Sequence, residues 1–161
     1  MPPYAYVALV TLLALLAYFW MGLEVGRARG KAGIPAPAMT GDPTLERTIR
    51  AHYNTMEWLP LFLVPMWLFA MFWDERIAAS VGVVWIVGRV MYQRGYVAEA
   101  GKRSAGFMVQ MLAVAVLENN ASLPLVHVVG PDQLVALVSQ VPSPVFQLLV
   151  AGSMVLIFRS S

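Results

Sequence analysis

RTIRAHYNTMEWLP, residues 47–60, runs directly into LFLVPMWLFAMFW, residues 61–73. The second run is apolar enough to lie in a membrane, yet the first brings Arg47, Arg50, His52, Asn54 and Glu57 to its mouth. Ionisable groups there are costly unless they face a protein interior or a wet cavity, so the stretch is a functional candidate. At roughly 100° per residue, Arg47, Arg50, Asn54, Glu57 and Trp58 fall within about a third of a helix circumference. Two cations, an amide, a carboxylate and an indole therefore share one face.

The surrounding chain has 161 residues, 59% hydrophobic and only 12% charged. That is far from a soluble domain, and the apolar residues come in blocks long enough to cross a bilayer. The reading is an all-α integral membrane protein. The chain has no cysteine, which excludes disulfides, a cysteine nucleophile and thiolate metal sites. Its two histidines, His52 and His127, are too far apart to suggest a nitrogen-rich metal site, so no metal is expected. Any sulfur chemistry must arrive with a substrate. A net charge of +2 gives no reason to expect a nucleic-acid partner.

Working outward, a first helix is expected over about 4–26, followed by the Pro- and Gly-rich loop GIPAPAMTGDP. This helix lacks a basic leader and a small-residue cleavage site, so it is expected to be retained. The second helix, about 44–73, has Asp42 and Thr44 as capping candidates. Asp74, Glu75 and Arg76 make a short turn into a third helix over about 77–96, so the two are expected to be antiparallel. Arg89, Tyr92 and Tyr96 share one face of that third helix. A fourth helix spans 104–117, or continues to about Val129 with a kink at Pro124. Residues 118–161 are an unassigned extension beyond a bundle of 1–117. Within it, Gly130–Gln140 is mildly amphipathic and 144–158 offers a short fifth membrane segment.

Nine of the eleven basic residues flank the first and third connections, against Arg76 alone at the second. By the positive-inside tendency that side is cytoplasmic, and both polar helix ends face it. Arginines suit carboxylates, while a carboxylate suits an ammonium group. A small peptide-like zwitterion is implied, beside an apolar partner drawn from membrane lipid. For Arg27, Lys31, Arg94 and Lys102, snorkelling to headgroups is the simpler explanation. A carboxylate such as Glu57 gains nothing from anionic headgroups.

ERTIRAHYNTMEWLPLF (46–62), with GRVMYQRGY (88–96) and KRSAGF (102–107), resembles the MAPEG superfamily, the membrane-associated proteins of eicosanoid and glutathione metabolism. The resemblance covers about 4–117. It implies a four-helix antiparallel transmembrane bundle assembled as a homotrimer, with glutathione as co-substrate between neighbouring subunits. It also implies a lipophilic substrate from the bilayer and, for a bacterial-type member, an inner-membrane location with the site facing the cytoplasm.

By that resemblance Arg29, Arg50, Asn54, Glu57, Arg89, Tyr92 and Tyr96 are glutathione contacts, with Glu57 at the amino group. His52 occupies a position that is histidine or glutamine in the family, and its place off the main face requires it to act across a subunit boundary. Trp58 stands where some glutathione-using members have tyrosine. Arg103 resembles the arginine that stabilises the glutathione thiolate, although Lys102 beside it competes for that role. The implied function is a glutathione transferase or peroxidase; the alternative is a non-catalytic lipid-binding or scaffold protein of the same fold. A channel or transporter fits less well, because the first three helices show no broken helix or filter loop.

Overall fold

A computed structural model describes residues 2–130, 132 and 133. It contains α1 (Ala5–Ala32), α2 (Pro43–Phe72), α3 (Glu75–Ala98), a 3₁₀ turn (Ala100–Arg103) and α4 (Ser104–Val129), with no strand among the described residues. The expected segment 144–158 and most of the amphipathic stretch lie outside the described residues. The chain divides into two units, Met1–Ala121 and Ser122–Ser161, and the contacts below all belong to the first.

Local chemistry sets each boundary. Asp42 caps α2 by accepting the Leu45 N–H at 2.7 Å, with Pro43 at the first helical position, where its missing N–H costs nothing. Asp74 does the same for α3, accepting from Arg76 N and Ile77 N at 2.8 and 2.9 Å. α1 ends at Gly33 with φ +66°, a left-handed conformation that glycine adopts without penalty. α4 extends to Val129, through Pro124, beyond the shorter of the two expected lengths.

Side-chain pairs give the helix directions. Arg47 on α2 reaches the Val97 carbonyl of α3, while Phe62 stacks on Trp85, with ring centroids 4.0 Å apart. Trp67 Nε1 donates to Thr11 Oγ1 of α1 at 3.0 Å, while Thr55 meets Met21. As residue numbers rise on α2 they fall on both neighbours, so α2 is antiparallel to α1 and α3. All four helix ends nearest the basic connections therefore lie together.

α3 and α4 approach unusually closely, and glycines permit it. A Cβ on Gly106 would lie 2.6 Å from Tyr92 Cα and 2.8 Å from the Gly88 carbonyl oxygen. One on Gly88 would lie 2.8 Å from Gln110 N. Small residues let helix backbones touch, which is how membrane helices pack when lipid is as apolar as the partner.

α1 and α2 are each long and apolar enough to cross a membrane. On α1, Leu12, Leu16 and Phe19 stand outside at 60–63% exposed. Water would penalise so large an apolar face, whereas a bilayer or another membrane chain would cover it.

Candidate functional site

At the basic end a cleft of about 390 Å³ opens between α2, α3 and the start of α4. Arg50 and Asn54 line it from α2, Tyr92 and Tyr96 from α3, and Arg103, Phe107 and Met108 from the α4 side. Arg103 lies over the Tyr96 ring, its guanidinium carbon 5.1 Å from the centroid. Lys102 instead pairs with Glu99 at 3.2 Å, in a bridge that is about two-thirds exposed at both ends. Of the two adjacent cations, Arg103 is the one presented to the cleft.

Arg89 has a different place. It is 1% exposed and sits beneath the cleft, its guanidinium carbon 4.5 Å from the Tyr92 centroid. It donates from Nε to Thr55 Oγ1 at 2.9 Å and from Nη1 to Gln110 Oε1 at 2.8 Å. Nη2 reaches Asn54 Oδ1 at 3.0 Å and the Ala51 carbonyl at 3.3 Å. Four of its five N–H groups are thus engaged, and it binds α2, α3 and α4 together. Arg89 is not in the lining of the cleft, and through these bonds it fixes residues that are.

Asn54 continues this hydrogen-bond chain outward. Its Nδ2 donates to Glu57 Oε2 at 3.2 Å, leaving the exposed carboxylate of Glu57 with open acceptor positions beside the cleft. Trp58 is half-buried and stands behind the lining, edge-on to the cleft residue Phe107 at 5.9 Å. Arg47 is likewise turned from the cleft. Its Nε donates to the Val97 carbonyl at 3.0 Å, tying the start of α2 to the end of α3.

Arg29 and His52 lie apart from this set. They line a second cleft of about 400 Å³ with Tyr53 and Met39, between α1, α2 and their connecting loop. Arg29 Nη1 donates to the Ala38 carbonyl at 2.6 Å, and His52 stacks on Tyr18 at 4.5 Å. Two residues along a helix is roughly 200°, so His52 and Arg50 must point to opposite sides of α2. One chain cannot bring the two sets together.

Sequence reasoning missed Thr55 and Gln110. Gln110 was detectable as the sole polar side chain between Gly106 and Leu117 in an otherwise apolar helix. Thr55 gave no such signal, because a threonine in a membrane helix can satisfy itself on the preceding turn, as Thr55 does on Ala51 at 2.8 Å. No cluster of three or more potential metal ligands occurs among the described residues.

Comparison with known proteins places this arrangement in context. The MAPEG family model matches residues 7–118. An uncharacterised protein of Synechocystis is 44% identical over 118 residues, covering 73% of this chain and 86% of that protein. Human microsomal glutathione S-transferase 2 is 36% identical over 110 residues, covering 68% of this chain and 75% of its own. Bovine leukotriene C4 synthase is 35% identical over 137 residues, covering 84% and 91%.

Proposed function

This chain belongs to the MAPEG family, and we propose that it is a membrane-bound glutathione transferase or glutathione-dependent peroxidase acting on a lipophilic electrophile or hydroperoxide. Relatives at about 35% identity that include a glutathione S-transferase support a glutathione-related membrane function. The observation that carries the finer reading is Arg103, a guanidinium with no carboxylate partner among the described residues, held over Tyr96 at a cleft that also presents Arg50 and Asn54.

A free thiol has a pKa near 8.5, so only a few per cent is ionised at neutral pH. A guanidinium beside the sulfur favours the anion, and removal from water strengthens the effect. The thiol proton leaves to solvent. The thiolate then forms a bond to an electrophilic carbon as the leaving group departs with the bonding pair, or forms an S–O bond to a peroxide oxygen as the O–O bond breaks, the alkoxide leaving with the pair and taking a proton from solvent; a second glutathione then displaces the sulfenic oxygen as water to give the disulfide. Arg50 suits a substrate carboxylate, and Glu57 suits its ammonium. Phe107 and Met108 give the lipophilic partner an apolar wall.

A homotrimer is part of the same reading. Arg29 and His52 lie on the opposite side of α2 from Arg50, so a second copy is needed to complete the set. Placed with its basic end in the cytoplasm of a bacterial inner membrane, the site meets soluble glutathione on one side and lipid on the other.

Titrating glutathione into detergent-solubilised protein and then assaying turnover with a general electrophile tests this reading. Saturable binding is expected, with a thiolate ultraviolet band that Arg103→Ala removes along with about 100-fold of rate. An Arg103→Ala protein that keeps full rate and the band would overturn the assigned chemistry. Absence of glutathione binding together with lipid affinity would favour the scaffold alternative.

A further inference from the structure

Gln110 is fully buried, and its side chain is only half used. Its Oε1 accepts from Arg89 Nη1 at 2.8 Å. A guanidinium can only donate, so this contact fixes the amide, with oxygen toward Arg89 and Nε2 away from it. Nε2 is then buried with no hydrogen-bond partner among the described residues. An unmet buried donor is destabilising, and leucine or methionine at this position would avoid it. The acceptor on Arg89 is what the glutamine supplies in return.

The same logic continues along the other arm of the guanidinium. Arg89 Nη2 meets Asn54 Oδ1 at 3.0 Å, which turns Asn54 Nδ2 toward Glu57, where it donates to Oε2 at 3.2 Å. One buried group that cannot accept therefore sets the direction of every bond from Gln110 to Glu57. Without the Gln110 oxygen, Nη1 must seek an acceptor already in use, at Asn54 or at Ala51. A guanidinium is rigid, so satisfying Nη1 there would draw Nη2 from Asn54 and release Glu57.

We propose that Gln110 is a positioning residue for recognition of the substrate's primary ammonium, acting through Arg89 and Asn54 to aim the Glu57 carboxylate. This rests on the glutathione reading of the same cleft and narrows it to one group, the α-ammonium of the γ-glutamyl residue. Gln110 itself touches no substrate.

The test uses the full-length detergent-solubilised protein with two substrates, glutathione and the analogue lacking the γ-glutamyl amino group. Gln110→Met is expected to raise the KM for glutathione about tenfold, the scale of one hydrogen bond to a charged group. Its kcat, and the thiolate band at saturating glutathione, are expected to stay at wild-type level. The KM for the analogue is expected not to change. Gln110→Glu keeps an acceptor facing Arg89 and is expected to restore the glutathione KM to within about twofold of wild type.

Equal losses for both substrates would reduce Gln110 to a packing residue and overturn the proposal, as would an unchanged glutathione KM. If Gln110→Met does not fold, Thr55→Val, which removes the acceptor of Arg89 Nε, is measured against the same two substrates with the same expectation. Wild-type protein that binds no glutathione would remove the parent reading. Wild-type binding with an indifferent variant would remove this inference alone.

Discussion

Replacing Gly106 by alanine adds a single methyl group where two backbones touch. Its Cβ would lie 2.6 Å from Tyr92 Cα and 2.8 Å from the Gly88 carbonyl oxygen, with the Tyr92 nitrogen closer still. Ordinary carbon contacts begin near 3.5 Å, so α3 and α4 must separate by about 1 Å at this point. All three obstacles are backbone atoms, and no side-chain rotation can relieve them. Overpacking of this kind costs about 3 kcal/mol, the upper part of its usual range, while alanine's better helix propensity returns about 1 kcal/mol. The net is a destabilisation of about 2 kcal/mol, or roughly 4–8 °C in melting temperature for a chain of this size. Gly101→Ala is the matched control, because nothing lies within 4 Å of a Cβ there. Melting both proteins in one detergent, followed by tryptophan fluorescence, reads the difference. If Gly106→Ala melts at or above Gly101→Ala, the close α3–α4 packing described here is wrong.

Four further outcomes are expected. Lys102→Ala removes only an exposed pair with Glu99, so it is expected to change stability by less than about 0.5 kcal/mol and leave turnover at wild-type level. For Arg103→Ala the pH–rate profile supplies a sign: with the thiolate no longer favoured, the rate is expected to climb about tenfold per pH unit toward the free thiol's pKa near 8.5, where wild type is already flat at pH 7. Complementation tests the shared site, since mixed oligomers of Arg29→Ala and Arg103→Ala protomers contain some clefts with both arginines intact. Such mixtures are expected to recover activity that neither variant shows alone, and a mixture no more active than its components would place the whole site within one chain. Asp74→Ala deletes the α3 cap at the end far from the cleft. It is expected to cost about 1 kcal/mol in a thermal melt with no change in glutathione affinity.

Four helices and the grouping of most cleft residues were legible because both follow from spacing within single helices. Arg50 and Asn54 are one turn apart on α2, as Tyr92 and Tyr96 are on α3, and the antiparallel connection brings those turns level. Depth was not legible. Spacing put Arg89 and Tyr92 on one face as equals, yet Arg89 is sealed beneath the cleft while Tyr92 lines it. Arg47 shows the same limit. It belongs to the Arg50 face by angle, but it is captured by Val97, whose carbonyl is free because α3 ends there. What a residue meets depends on the neighbouring helix, which a single-helix wheel omits.

Depth in this bundle traces to the glycines of α3 and α4. With larger residues at Gly88 and Gly106, α4 would stand farther off, and the 2.8 Å bond from Arg89 to Gln110 would open. Arg89 would then be wet, with water competing for the arm that now orients Asn54. Arg103 closes the 3₁₀ turn that leads into α4, three residues before Gly106, and its position over Tyr96 depends on the same separation. The two arginines thus take opposite fates from one cause: close packing buries the one inside the α3–α4 contact and brings the one at its rim to the cleft. Stability and substrate positioning are therefore coupled here. A substitution that loosens this contact should weaken glutathione recognition and lower the melting temperature together, whereas truncating the Lys102 side chain, which is exposed and paired only with Glu99, should affect neither.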